Sequence, residues 1–319
     1  MELDNKTPYP AHFYRTALAE DRFAASVLVR VTFDLADGAL APSEEQPWIT
    51  SRAPWKSPQG EMESDDLYYR EGCDLFVFGS ARAPRGEPVR ELDVGVTVGD
   101  FSRTVRVFGD RVWEGAPGQL APSEPQLFEE MPLTLSRSFG GVATWDELDV
   151  PFNDNPAGRG FYVEEDDARD HPLPNIEEVD QLVTTWTDRP EPAGLGICPR
   201  AFGPRLRRGA TFGGDGAVQK IHAALFNAAF PRMIAPRVEP GMDVTISGVR
   251  ADGPLRFTVP SLALVLRVRF GDDAHDEPLE IDQMGIEVDE ARVFLSYRYA
   301  FRYVMTPGRE RSCTVSVRS

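Results

Sequence analysis

The chain has 319 residues, 41% of them hydrophobic and 10% aromatic, which is enough apolar material for a packed core and too much for wholesale disorder. Its 34 basic and 51 acidic side chains leave a formal charge of −17, which disfavours nonspecific binding to nucleic acid or to an anionic membrane, since both reward a basic surface. A basic protein partner stays open, and an acidic surface also serves simply to keep a protein soluble.

The first residues, Met1 to Lys6, lack the charged-then-apolar order of a signal peptide. Val27 to Leu35 alternates, with Val27, Val29, Val31, Phe33 and Leu35 on one side and Arg30, Thr32 and Asp34 on the other. That period of two predicts a half-buried strand, and Asp37-Gly38 supplies a hairpin turn. Pro42 to Glu71 carries Pro42, Pro47, Pro54, Pro58 and a run of acids and reads as irregular loop, with Trp48 and Trp55 able to pin it to the body. Strands resume at Asp74 to Gly79, Leu92 to Val98 and Arg103 to Phe108. Gly99-Asp100 joins the last two, and Gly109-Asp110 leads into Arg111-Val-Trp113, so the pattern is a meander without a crossover helix.

From Pro117 to Pro204 the regular signals fade. A structureless loop of that length is uncommon inside a folded body, so short strands held by Trp145, Phe152, Phe161 and Trp186 are expected, with the acidic run Glu164 to Asp167 solvated. Gly213 to Gly216 precedes the one predicted helix, over 216–230. Asp215 serves as N-cap, Val218, Ile221, Leu225 and Ala228 share a face, and Pro231 ends it. Further strands follow at Asp243 to Gly248, Leu262 to Phe270, Arg292 to Tyr303 and Cys313 to Val317. In the third of these Val293, Leu295, Tyr297, Tyr299, Phe301 and Tyr303 oppose Arg292, Arg298 and Arg302. The expected class is mainly β: antiparallel sheets, sandwich or barrel-like, with one clear helix and long ordered loops. A division into β-rich regions 1–204 and 205–319 and a single continuous domain are both open.

Leu262 to Leu266, the most apolar run, is broken by Arg267 and falls short of the roughly 20 residues a spanning helix needs. Cys73, Cys198 and Cys313 are too few and too scattered for a disulfide framework or a zinc site. A cytoplasmic, soluble, reduced protein without membrane insertion is expected.

Catalytic candidates are sparse. His12, His171, His222 and His275 form no HExxH or i, i+4 pair. His171 reads as a surface-loop residue and His222 as structural. Cys198 with His222 is the one conceivable thiol–imidazole pair, set against a buried inert cysteine. GxSxG, Walker and complete GxGxxG patterns are lacking. The acids at 164–170 do not have an EF-hand's ligand alternation, and 51 acids always contain some pair, so the count does not argue for a glycosidase. Ser138-Phe-Gly-Gly141 and Gly158-Arg-Gly160 suggest backbone devices, with Arg137 and Arg159 anchoring them to carbonyls or carboxylates. No cofactor and no metal is expected.

Seven signatures occur in order: Asn5 to Tyr9, Arg106 to Asp110, Met131 to Leu133, Arg137 to Gly141, Asn155 to Gly160, Leu173 to Asn175 and Leu225 to Ala229. This series resembles the bacterial domain-of-unknown-function 2169 family over nearly the whole chain. Phe230 stands where the family pattern has a second proline, and the tail after Tyr303 has no counterpart. The resemblance implies a type VI secretion accessory, an adaptor or chaperone that helps load an effector onto a PAAR-repeat or VgrG spike protein by non-covalent binding. It transfers no catalytic residue. Arg137, Phe139, Gly140, Gly141, Asn155, Gly158, Arg159 and Gly160 are the candidate protein-binding or scaffold motif. Two rival readings remain: a hydrolase-type enzyme using Cys198, His222 or an acid pair, and a carbohydrate- or envelope-binding β module presenting Trp48, Trp55 or Trp113.

Overall fold

The strand predicted at Val27 to Leu35 runs from Arg22 to Ala36 and pairs along its length with Arg292–Val304. The structure, a computed structural model, describes residues 1–318. These two long strands are the spine of a seven-stranded sheet, in the order Ala11–Ala17, Arg22–Ala36, Arg292–Val304, Glu280–Glu287, Cys73–Phe78 and Ile234–Ala235, with Ala39–Pro42 folded back onto Arg22–Ala36. Within it only Glu280–Glu287 and Cys73–Phe78 pair in parallel. The Asp37-Gly38 turn forms as expected, both residues having left-handed φ.

A five-stranded sheet orders Ile176–Glu178, Phe101–Phe108, Glu91–Val98, Asp243–Ser247 and Leu255–Thr258. A four-stranded sheet orders Leu3–Asn5, Arg311–Val317, Leu264–Phe270 and Asp273–Pro278. The protein is mainly β with mostly antiparallel sheets, and no sheet among the described residues closes into a barrel. All three large sheets draw strands from both sides of residue 204. Val29, Val96, Ile246, Val268 and Val315 belong to one apolar cluster, so the seven-stranded sheet shares its core with both smaller ones. A second, small cluster packs Trp113, Phe139, Leu173 and Val183 with Phe152, Phe161 and Trp186, ordering the proline-rich middle of the chain.

Four expectations are corrected. The helix over 216–230 is absent; Ala210–Phe212 and Val218–Ile221 form a hairpin, followed by a single 3-10 turn at Ala223–Phe226. Asp215 Oδ1 accepts the Ala217 N–H two residues on, an Asx turn that competes with helix capping, and β-branched Val218 and Ile221 suit a strand. The helices that do form are the four-residue Glu165–Ala168, inside the acidic run, and Gly203–Gly209. The meander breaks after Phe108, because the outer partner of Phe101–Phe108 is Ile176–Glu178 and not Arg111 to Trp113. Trp145 lies outside the middle cluster and is 52% exposed.

The second face of the large sheet also departs from the alternation. Arg30 and Thr32 are fully buried, because the loop through residues 43–72 lies across them. Trp48 packs against Phe294 and Phe78 and donates Nε1–H to Glu287 at 2.8 Å. Gln59 donates to the same carboxylate at 2.8 Å. Beneath the loop, the guanidiniums of Arg30, Arg70 and Arg298 pair with the carboxylates of Asp65, Asp74 and Asp282.

Candidate functional site

The glycine–arginine motif is brought together in space. Phe139–Gly140 and Arg159–Gly160 run side by side in parallel. Asn155, fully buried, donates Nδ2–H to Leu135 O at 2.8 Å and Phe139 O at 3.1 Å, while its backbone carbonyl accepts from the Gly141 and Gly158 amides. Gly140 has φ +148°, and a Cβ there would lie 2.0 Å from Asn155 O. Gly160 has φ +93°, and a Cβ there would meet Pro174 Cδ at 2.7 Å, so neither position has room for another residue type. Arg137 Nη1 donates to Asp110 Oδ1 and Asn175 Oδ1, each at 3.0 Å, and Arg159 Nε donates to Ser136 O at 2.8 Å. Burial first, and then the neighbouring Arg137 charge, hold Arg159 below the usual guanidinium range. These donors are therefore occupied within the chain. Phe139 is buried in the small cluster.

What this knot supports is a projecting hairpin. Val142–Trp145 leaves directly from Gly141, and Leu148–Pro151 returns to Phe152, whose amide bonds back to Gly141 O at 2.9 Å. Trp145 pairs across from Leu148 and Ala143 across from Val150, so these four share one face; it runs from buried Ala143 to Trp145 and Leu148 at the tip. The tip residues Asp146 and Glu147 both adopt left-handed φ without being glycine, which costs on the order of 1 kcal/mol or more each.

The second hairpin arose where a helix was expected. Ala210 opposes Ile221 and Phe212 opposes Val218, a pairing that puts Phe212, Val218 and Ile221 on the surface while Thr211 and Lys220 pair with one another. The bases of the two hairpins are tied. Arg207, two residues before the end of the Gly203–Gly209 helix, makes two 2.6 Å hydrogen bonds to the Asp154 carboxylate, and the Gly203 amide donates to Asn153 O at 2.9 Å. Neither hairpin was recognised from sequence. The signal was Trp145-Asp-Glu-Leu148, two apolar residues flanking a two-residue polar turn.

The residues singled out for chemistry are placed otherwise. Cys198 is buried, and desolvation pushes its thiol up to about 12 despite the nearby Arg205 charge. His222 shares a hydrogen bond with Thr211 Oγ1 at 3.1 Å. His171 Nδ1 lies 2.9 Å from Arg169 O. Trp48 and Trp113 are fully buried and Trp55 packs edge-on against Trp48, so these rings do not form the exposed platform of a carbohydrate module. Among the described residues no group of His, Cys, Asp and Glu has the arrangement of a metal site, and no helix is long and apolar enough to cross a membrane.

Compared with known proteins, residues 20–298 match the model of a family described as uncharacterized protein conserved in bacteria (DUF2169). No curated protein and no solved structure matches the chain.

Proposed function

We propose, for a chain that belongs to the bacterial DUF2169 family, a non-covalent adaptor or chaperone role in type VI secretion: binding a PAAR-repeat or VgrG spike protein, its effector, or both. The observation that carries the protein-binding part is the pair of hairpins, tied at their bases, that expose Trp145, Leu148, Phe212, Val218 and Ile221. A two-stranded hairpin is marginal in water on its own, and apolar side chains grouped on its surface gain most when a partner covers them. Large aromatic side chains such as Trp145 are the usual anchors of such contacts. The candidate motif residues then act one step back, holding the first hairpin's base through Gly141, Asn155 and Gly158. The charge of −17 adds long-range attraction toward a basic partner.

The test is co-purification from a strain with an intact secretion system. Wild-type protein is expected to retain a spike protein or effector, less so as salt rises. The Trp145→Asp, Ile221→Asp double variant is expected to lose that partner with its melting temperature unchanged. Recovery of neither partner by the wild type, or full retention by the double variant, would sink the reading.

A further inference from the structure

The strand Arg292–Val304 has a neighbour on both sides only as far as Arg298. Arg22–Ala36 accompanies it to Val304, but on the opposite side Glu280–Glu287 begins with Glu280 facing Arg298. Continued backward in the same register, that second neighbour would set Pro278 against Ala300. Pro278 has no N–H to give. It pairs instead with Val265 in the four-stranded sheet, where the Leu279 amide bonds Leu264 O at 3.1 Å. The edge from Tyr299 to Val304 is therefore open.

The direction of its backbone groups follows from the strand on the closed side. Arg22 exchanges backbone bonds with Ala19, and the Arg30 amide donates to Pro10 O, so both residues turn away from Arg292–Val304. Arg22 stands directly opposite Val304. In an antiparallel ladder such a pair turns both residues outward, and alternation then puts the N–H and C=O groups of Ala300, Arg302 and Val304 on the open side. Among the described residues none of these groups has a backbone partner. Arg302 and Val304 are exposed and Ala300 is half-buried. Room for another chain flanks both ends of the edge: Tyr299 and Ala300 line a cleft of about 760 Å³, and Arg302, Tyr303 and Val304 line one of about 470 Å³.

The two faces of the edge differ in chemistry. Tyr299, Phe301 and Tyr303 form a row of rings with centroids 6.2 and 6.0 Å apart. Arg302 projects on the other face, over the Tyr68 ring. The smaller cleft gathers Arg302, Arg309 and Arg311 with His275 and Asp273. Asp273 is taken by Arg309 at 2.6 Å, and among the described residues neither Arg302 nor Arg311 pairs with a carboxylate. A chain of charge −17 thus presents a cationic lobe beside an open strand edge. An added strand fits both faces when its apolar side chains meet the rings and its acidic ones meet Arg302.

We infer that the Tyr299–Val304 edge captures an extended segment of another protein by antiparallel strand addition, a segment in which apolar and acidic residues alternate. The acidic residues stand opposite Ala300, Arg302 and Val304 and exchange backbone bonds with them, while the apolar residues lie beside the row of rings. The inference does not depend on the hairpin surface.

The probe is a blocked hexapeptide in which valine and glutamate alternate, titrated into the full chain while amide hydrogen exchange is read by NMR. At about millimolar peptide the Ala300, Arg302 and Val304 amides are expected to exchange at least about tenfold more slowly. Methylating the glutamate nitrogens removes the donors that face the edge and is expected to abolish this protection; methylating the valine nitrogens is expected to leave it. Lysine in place of glutamate is expected to weaken binding by about fivefold. Arg302→Glu, at an exposed position, is expected to reverse that preference with melting unchanged. Trp145→Asp, which disables the hairpin surface, is expected to leave the protection intact. No protection, equal binding of the two methylated peptides, or a glutamate preference that survives Arg302→Glu would overturn the inference. Protection that grows with protein concentration in the absence of peptide would also overturn it, by assigning the edge to a second copy of this chain.

Discussion

Replacing Asp65 with alanine removes the counter-charge of a guanidinium that water cannot reach. Arg30 is 0% exposed and Asp65 2%, with Nη2 to Oδ1 at 2.7 Å and Nη1 to Oδ2 at 3.3 Å. After the change Arg30 keeps the neutral acceptors Ser296 Oγ, Gln283 Oε1 and Ile49 O, while the Ser51 amide loses its bond to Asp65 Oδ2. The cluster beneath the loop goes from three cations and three anions to three against two. Breaking a buried pair from one side costs about 3–5 kcal/mol, a large share of the roughly 5–15 kcal/mol that holds a typical fold. Urea unfolding at pH 7, followed by both far-UV circular dichroism and tryptophan fluorescence, measures the loss and tests whether the two signals coincide. Arg30→Met combined with Asp65→Leu removes the stranded charge as well, and at least half of the lost stability is expected to return. A cost below about 1 kcal/mol for Asp65→Ala, or a double variant no more stable than the single one, would refute the assignment of this pair as a coupled buried unit.

Acid is expected to act on the same region. Burial alone would raise the Asp65 and Glu63 pKa values, but Arg30, Arg70 and the Ser51 amide outweigh it for Asp65, and Arg205 and Arg200 do so for Glu63, so both lie below their ordinary 3.8 and 4.5. Folded values lower than unfolded ones give stability that is complete above the ordinary values and is lost as pH falls through the folded ones; melting temperature should drop below about pH 4.5, and less steeply in Asp65→Asn. Replacing Asp146-Glu147 with Asn-Gly puts residues suited to left-handed φ at the hairpin tip and should raise stability by about 1 kcal/mol or more, read from the same urea titration. All three thiols are buried, and desolvation lifts Cys198 and Cys313 to about 12 and Cys73 well above its usual value. A disulfide-exchange reagent at pH 8 is therefore expected to titrate none of them in the native protein and all of them in denaturant. Arg137→Ala removes two hydrogen bonds from a partly exposed guanidinium and should cost about 1–2 kcal/mol in thermal unfolding.

Strand alternation was legible where a single face met the core: Leu264, Leu266 and Val268 announced themselves by period two alone. It misled at Arg30 and Thr32, since a polar residue facing solvent and one facing a covering loop leave the same pattern. The covering loop in turn has no periodicity; its two tryptophans and its acids were visible, but not that Asp65 would reach Arg30 or that Trp48 would reach Glu287. At 216–230 an i, i+3 spacing suited a helix equally well, and the turn chemistry of Gly213 to Gly216 prevailed. The candidate motif was recognisable from its residue types, whereas its link to an exposed hairpin depends on pairings such as Trp145 with Leu148 that only a turn-based search would have raised.

The spine of the large sheet also sets a schedule for synthesis. Val31 and Leu295 are direct neighbours, yet the ribosome makes them more than 250 residues apart. At about 5–20 residues per second the first of them waits roughly 13–50 s for its partner. Throughout that interval Val27, Val29, Val31 and Phe33 are displayed on an incomplete sheet, in a cell full of other nascent chains. On this account the nascent chain would itself need sheltering, and its yield should respond to translation speed and to holdase supply more than its folded stability suggests.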